Sequence, residues 1–459
     1  MTQLADKSIH MANFTRLEES AAGADSPSWL DALRKTGIDR FEFIGFPTRR
    51  QEEWRYLDLS PIVNTPFQLA GPGVSSAAAE LARRFSFGRD AAIELVFVNG
   101  HFIRELSLIN QLPQGVRVDS FADALADERP PCLEQHLGQY ADIEKNPFVA
   151  LNTGFIQDGA RVYIPRGTAL LHPIHMLFVS TPFGEPAVSH PRLLIVADNG
   201  SQCTIVESYV GEGHGAYFTN AVTEIVAGSD ALIDHCKLQQ EGRDACHVAT
   251  MHVQLGRGAK FVSHSASLGA KLTRNDLNVV MNGEGADATL NGLVLIGGTQ
   301  RVDNHTLLDH AYPHCQSHEL YKHVLDGKSV GVFKGKILVR PGAQKTDSKQ
   351  TSKTLMLSDD AVMNSMPALE IYADDVKCTH GSSSGPVDED QVFYLRTRGV
   401  GLDSARHLMT YAFAADITRR IRVEPVRRRL EEYMAAQHGL PVDLRITDLG
   451  AHDEAVRQS

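Results

Sequence analysis

The chain has 459 residues, with 45 Lys plus Arg against 56 Asp plus Glu, for a formal charge of −11. That length exceeds one ordinary compact domain, and that charge argues against a general nucleic-acid binder, which needs a net basic chain or a strongly basic face. Six cysteines are too sparse for a disulfide framework, no run reaches the roughly 18 apolar residues of a membrane helix, and the start MTQLADKSIHMANF lacks a signal-peptide pattern, so a cytoplasmic protein with reduced thiols is expected.

Residues 1–150 mix helical and extended signals, with helices as the main element. SWLDALRKT (28–36) carries Trp29, Leu30 and Leu33 at helical spacing, with Gly37 as a stop. QEEWRYLDLSPI (51–62) reads as a short ordered segment ending at Pro61, and SAAAELARRF (76–85) as a second helix. AIELVFVNGHFIREL (92–106) holds two β-rich runs around Asn99-Gly100, a strong type I′ hairpin signal.

From 151 to 385 alternating β-type runs take over. Gly200, Gly228, Gly256 and Gly283 each open a turn before an extended run, at intervals of 28, 28 and 27 residues. A fixed period of this size, with two strands per repeat, predicts a β-helix in which every coil pairs with its neighbours. A large antiparallel sandwich is the competing arrangement. Residues 386–459 return to helix. Asp403 is a candidate N-cap for a helix through ARHLMTYAFAADITRRI, and a second helix opens at Glu424-Pro425 and stops before Gly439. Six arginines fall between 419 and 429, forming either a solvated helix face or a docking surface for an acidic partner.

Several chemistries lack their motifs. Gly327-Lys328-Ser329 ends like a phosphate-binding loop, but Lys322 stands where its first glycine is required. There is no dinucleotide-binding fingerprint after a strand, no nucleophile elbow and no C-x-x-C pair. Soft metal-ligand types do gather late in the β region: His305, His310, His314, Cys315, His318 and His323 lie within nineteen residues. The interval of four from His310 through His314 to His318 would keep all three on one strand face. They form either an imidazole metal site or, the better reading without an acidic third ligand, a polar ladder on the solenoid surface. Cys378-Thr379-His380 is the more pointed feature. On a strand its thiol and imidazole would face the same way, and such a pair can grip iron or zinc, with further ligands from elsewhere.

The stretch 303–400 resembles the SufB/SufD family of iron–sulfur cluster assembly proteins. The resemblance rests on His305 and His310, SHELYKHVLDGKSVGVFKGKI (317–337), AQKTDSKQTSKTLMLS (343–358) and PALEIYADDVKCTHGSSSGPVDEDQVFYLRTRGV (367–400). EEWRYLDLSPI (52–62) is similar to the family's N-terminal element. Lys377-Cys378-Thr379-His380-Gly381 is closer to the K-C-S-H-G of the SufD branch than to the E-H-E type of the SufB branch.

The resemblance implies a mainly β fold: a right-handed parallel β-helix core (151–385) between helical N-terminal (1–150) and C-terminal (386–459) domains. It implies a non-catalytic scaffold subunit that pairs with SufB through the cores and docks the ATPase SufC through the C-terminal helices. His380, and with it Cys378, would then be metal ligands of a nascent, transient iron–sulfur cluster shared with SufB. Reduced flavin is a further implied cofactor, although no flavin motif is found. A homodimer of the isolated chain is compatible with the resemblance; nucleic-acid and membrane partners are not expected. Two other classes compete: a stand-alone zinc-binding protein using His310, His314 and His318, and a carbohydrate-active β-helix enzyme.

Overall fold

The 28-residue recurrence becomes the coil of a parallel β-solenoid. In the computed structural model, which describes residues 7–21, 26–126, 132–181, 184–213 and 215–438, each coil contributes one strand to each of two long sheets. One sheet runs from Arg117–Ser120 and Gly159–Ile164 to Val330–Val339, and ends on Val362–Ser365 and Ala368–Ile371. The other runs from Ile93–Val98 and Ile174–Ser180 to Asp347–Met356, and ends on Lys377–Pro386. Successive coils in the second sheet pair Gln202 with Leu232, Leu232 with Lys260, Lys260 with Asp287, Asp287 with Gln316 and Gln316 with Asp347. The coil is therefore 27 to 31 residues long, and an insertion of a residue or two is absorbed in the turns without loss of register.

Register fixes columns of like-facing side chains. Cys203, Ile233, Phe261 and Ala288 stack in one interior column, all buried in the main core with Ile205, Leu290, Ile337 and Val339. Burying each such apolar side chain contributes about 1.5–3 kcal/mol, so the stack is held chiefly by its own lumen.

The N-terminal elements pack on this solenoid within one compact unit, Met1–Ser384. The helix Ser28–Ile44 runs straight through Gly37, which does not stop it. Gly37 is buried where the helix crosses Pro147–Gly154, and a Cβ there would lie 2.6 Å from the Gly154 nitrogen. Its glycine thus serves close helix packing, a use that local sequence does not distinguish from a terminator. The helix Ser76–Phe85 forms where the spacing places it, capped by the Ser75 hydroxyl, which accepts from the Ala78 N–H. Asn99 and Gly100 take positive φ of 51° and 89° in a tight hairpin turn. The first hairpin strand, Ile93–Val98, is buried along its whole length because it also pairs in parallel with Ile174–Ser180.

The second compact unit, Gly385–Ser459, carries three helices among the described residues. Its first helix, Glu389–Thr397, is capped by Asp388, which accepts from the Asp390 and Gln391 N–H groups. The next, Leu402–Thr418, has Gly401 at its N-cap, so Asp403 sits in the first turn, where it meets the positive helix end, rather than capping. The last, Glu424–His438, opens at the expected Glu424-Pro425; Gly439 lies outside the described residues. Ile417, Ile421, Val426, Leu430 and Met434 are buried, whereas Arg419, Arg420, Arg422 and Arg428 are exposed. Arg420 pairs with Asp416 and Arg427 with Glu424.

Candidate functional site

The histidine stripe does not survive folding. His310 closes the strand Arg301–His310 facing the lumen, fully buried, with its Nε2 2.9 Å from the Ser317 hydroxyl. Burial lowers its pKa to about 4, so the ring is neutral. His314 lies in the following turn at φ 59° and is exposed, and His318 points outward from the strand Gln316–Leu325. The turn resets the two-residue alternation, so an interval of four across it no longer means one face. Nor is the stripe a surface ladder, since one of its members is interior. His323 is buried and lowered to about 4, and Cys315 is buried with its thiol donating to the Gly283 carbonyl. Among the described residues no group of three or more His, Cys, Asp or Glu is placed to hold a metal ion.

His305 has another use. Outward-facing residues of consecutive coils pair in register: Arg274 with Asp303, and Asp276 with His305, which pairs with Lys334. Together they clamp the Glu52–Trp54 turn. Arg274 lies 4.4 Å over the Trp54 ring and bonds the Glu53 carbonyl at 2.9 Å, Asp276 at 2.6 Å and Asp303 at 2.7 Å. Lys334 reaches Glu52 and Glu53 at 2.9 and 2.8 Å, and His305 reaches Glu53 at 3.2 Å. The His305 ring is held above its ordinary range: burial opposes this, but Asp303 and Glu53 outweigh it. Glu53, bonded first to His305 and then to Lys334, falls to about 2. The E-E-W-R-Y element and His305 are thus two halves of one fastening, with the imidazole engaged by carboxylates.

Cys378 and His380 are brought together. Both lie on Lys377–Pro386, the last strand of its sheet, two residues apart and so on one face. Cys378 packs against the main interior core, so that face is the lumenal one. The Lys377 N–H donates to the Thr346 carbonyl, as the Asp347 N–H donates to that of Cys315 one coil earlier. Continued in register, this places Cys378 over Ser348 and His380 over Gln350. Beneath Cys378 the column runs through Ser348 and Ser317, whose hydroxyls are 2.6 Å apart, and His310 bonds Ser317 from the facing sheet. Beneath His380 it runs through Gln350 to Glu319, whose carboxylate accepts from Gln350 Nε2 at 2.7 Å. At this end of the stack both columns are therefore polar.

His380 is exposed and Cys378 half-buried. Burial, with Asp347 nearby, pushes the Cys378 thiol up, so the uncoordinated group is protonated. Thiol and imidazole together are two soft-to-borderline ligands at the open end of the solenoid, fewer than a tetrahedral iron site takes. Sequence reasoning missed the polar columns behind them. Their signal was present, since Ser317, Glu319, Ser348, Gln350, Cys378 and His380 alternate in phase, but only the register shows that these share one interior. Deeper in the lumen lies a second buried network: Glu207 accepts from Tyr209 at 2.7 Å and faces His235 at 3.2 Å, and Lys237 donates to Asn275 at 2.7 Å. The named partners bond one another inside the lumen.

Two family models match the chain: the SufBD core domain of SUF-system FeS cluster assembly over residues 178–413, and the SufBD protein N-terminal region over 9–176. The chain is 34% identical to an iron-sulfur cluster assembly SufBD family protein of Synechocystis over 428 residues, 92% of this chain and 94% of that one. It is 29% identical to the iron-sulfur cluster assembly protein SufD of Escherichia coli, over 94% of this chain and 97% of that one. It is 28% identical to a chloroplastic protein of Arabidopsis thaliana, ABCI7, over 87% and 85% of the two chains.

Proposed function

The chain belongs to the SufBD family of iron–sulfur cluster assembly proteins, and from that premise we propose that it is the non-catalytic, SufD-like subunit of a cytoplasmic SufBCD-type scaffold. In this reading it pairs with a SufB through the end of the solenoid and docks a SufC ATPase through the helices of 386–459. ATP hydrolysis belongs to SufC, in keeping with the missing phosphate-binding loop.

The observation that carries the reading is the half-filled site. Cys378 and His380 share the lumenal face of a terminal strand, and among the described residues that strand has a sheet neighbour on one edge only. A free edge is a template for pairing with another chain. A thiol from the partner, together with Cys378 and His380, would give iron and sulfide enough ligands to form a cluster as cargo. Iron arriving at the site would deprotonate the Cys378 thiol, as a coordinated cation does. A mixed thiolate–imidazole set holds a cluster at higher potential than an all-thiolate one, which suits cargo that must be handed on. ATP-driven closure of SufC, acting on the C-terminal helices, is the step that would open the shared interface around these ligands. The exposed Arg419, Arg420, Arg422 and Arg428 present a basic surface for that docking.

The test is co-expression of the chain with its SufB-like and SufC-like partners, followed by mass determination and anaerobic reconstitution. The His380→Ala complex is expected to assemble at the wild-type mass but to retain less cluster, read by visible absorbance; equal retention would remove the ligand role. Deleting 403–459 is expected to abolish ATPase binding, and unchanged binding would remove the docking assignment.

A further inference from the structure

The polar column beneath His380 holds two buried side-chain oxygens without a hydrogen-bond partner, Glu319 Oε1 and Gln350 Oε1, and the second belongs to the residue next to His380. Gln350 is almost wholly buried, and its side-chain amide is wedged in place. Its Nε2 donates to Glu319 Oε2 at 2.7 Å. On the opposite sheet, Gly335 leaves room for it: a Cβ at Gly335 would lie 2.2 Å from that Nε2 and 2.8 Å from the Phe333 ring. Once Glu319 is ionised, above the value of about 7 to which burial raises it, the amide cannot reverse without turning its oxygen toward a carboxylate. The Gln350 carbonyl oxygen is therefore left over, buried and without a hydrogen-bond partner. The next residue on this face of the sheet is His380, in register on the adjoining strand.

We propose that Gln350, anchored by Glu319 and seated over Gly335, is the positioning residue of His380: its free carbonyl oxygen accepts the proton of one ring nitrogen and leaves the other nitrogen, bare of hydrogen, facing the open end of the solenoid. A ligating imidazole needs this arrangement, because the hydrogen bond made by one nitrogen fixes which tautomer presents the other to metal. Glu319 acts through Gln350 and touches no cargo. The inference deepens the site reading above and rests on it for its meaning, but the geometry belongs to this chain alone.

The experiment uses the full-length chain labelled with 15N-histidine, at a pH where the ring is neutral, with the His380 signals assigned by their loss in His380→Gln. In the wild type the two ring nitrogens are expected at widely separated shifts, marking a single dominant tautomer. In Gln350→Leu they are expected to move together toward the mixture of a free imidazole. Glu319→Gln keeps the volume but removes the charge that orients the amide, and is expected to give an intermediate ratio; it serves if Gln350→Leu does not fold. Shifts in both variants equal to the wild type, or a wild-type ring already mixed, would overturn the proposal. Because no cluster is present in this measurement, its outcome is independent of whether His380→Ala lowers cluster retention in the complex.

Discussion

At the scale of single residues, the lumen sets protonation by burial and neighbours more than by residue type. Burial raises the Glu319 carboxyl to about 7, with Thr306 and Gln350 opposing it only in part. A carboxyl raised in the fold costs nothing below its unfolded value near 4.5, where both states are protonated. The cost grows as pH rises from there through about 7, and is constant above. Glu319→Gln removes it, so the variant is expected to melt higher than wild type at pH 8, by an amount on the order of 1–3 kcal/mol, and at the same temperature near pH 4. Scanning calorimetry at the two pH values checks this; a gain of equal size at both would mean that ionisation is not the cause. The pair Cys378-x-His380 could be picked out from spacing alone, because two residues apart on any strand is one face. Its polar support could not, because Ser348 and Gln350 are thirty residues away in sequence and become neighbours only through the register.

At the scale of elements, the strands were legible and the helix ends less so. Alternation and the glycine recurrence located the coils, since each coil repeats the same local problem: turn, inward and outward alternation, turn. Gly37 was misleading because a glycine that ends a helix and one that lets two helices touch look alike in a linear sequence. Its replacement settles which it is. Gly37→Ala would gain helix propensity of up to about 1 kcal/mol at an exposed site. Here the added Cβ meets the backbone of Thr153 and Gly154 within 3 Å, so a net loss of about 1–3 kcal/mol is expected from overpacking. Chemical denaturation with an unchanged m-value would measure it, and a stabilised variant would contradict the packing role. The E-E-W-R-Y turn makes the same point from the other side. Its Trp54 and Glu53 looked like part of a short ordered segment, but what orders them is Arg274, His305 and Lys334, more than 200 residues on.

For the whole molecule, the two compact units carry separate expectations. Met1–Ser384 contains the solenoid, its lumenal core and the helices packed on it. A chain cut after Ser384 is expected to fold cooperatively, with wild-type melting of its strands followed by far-UV circular dichroism, because no part of the main core is removed. A broad, non-cooperative transition would show that the helices of 385–459 are needed for the fold itself. In the proposed assembly the truncated chain would still pair through its terminal strand and would fail only to recruit the ATPase.

The sequence by itself determined the mainly β class, the solenoid period, the helical ends, the absence of a nucleotide loop and the family. Each of these is written in short windows or in a translational repeat, where local preference and global fold agree. Tertiary structure alone decided which polar residues meet. It scattered His310, His314 and His318 across a lumen, a turn and an outer face, and tied His305 to Glu53. It also laid Gln350 and Glu319 beneath His380. The reason is that contacts between coils depend on a register that each turn can shift by a residue or two, so proximity across the stack is settled only when the sheets close.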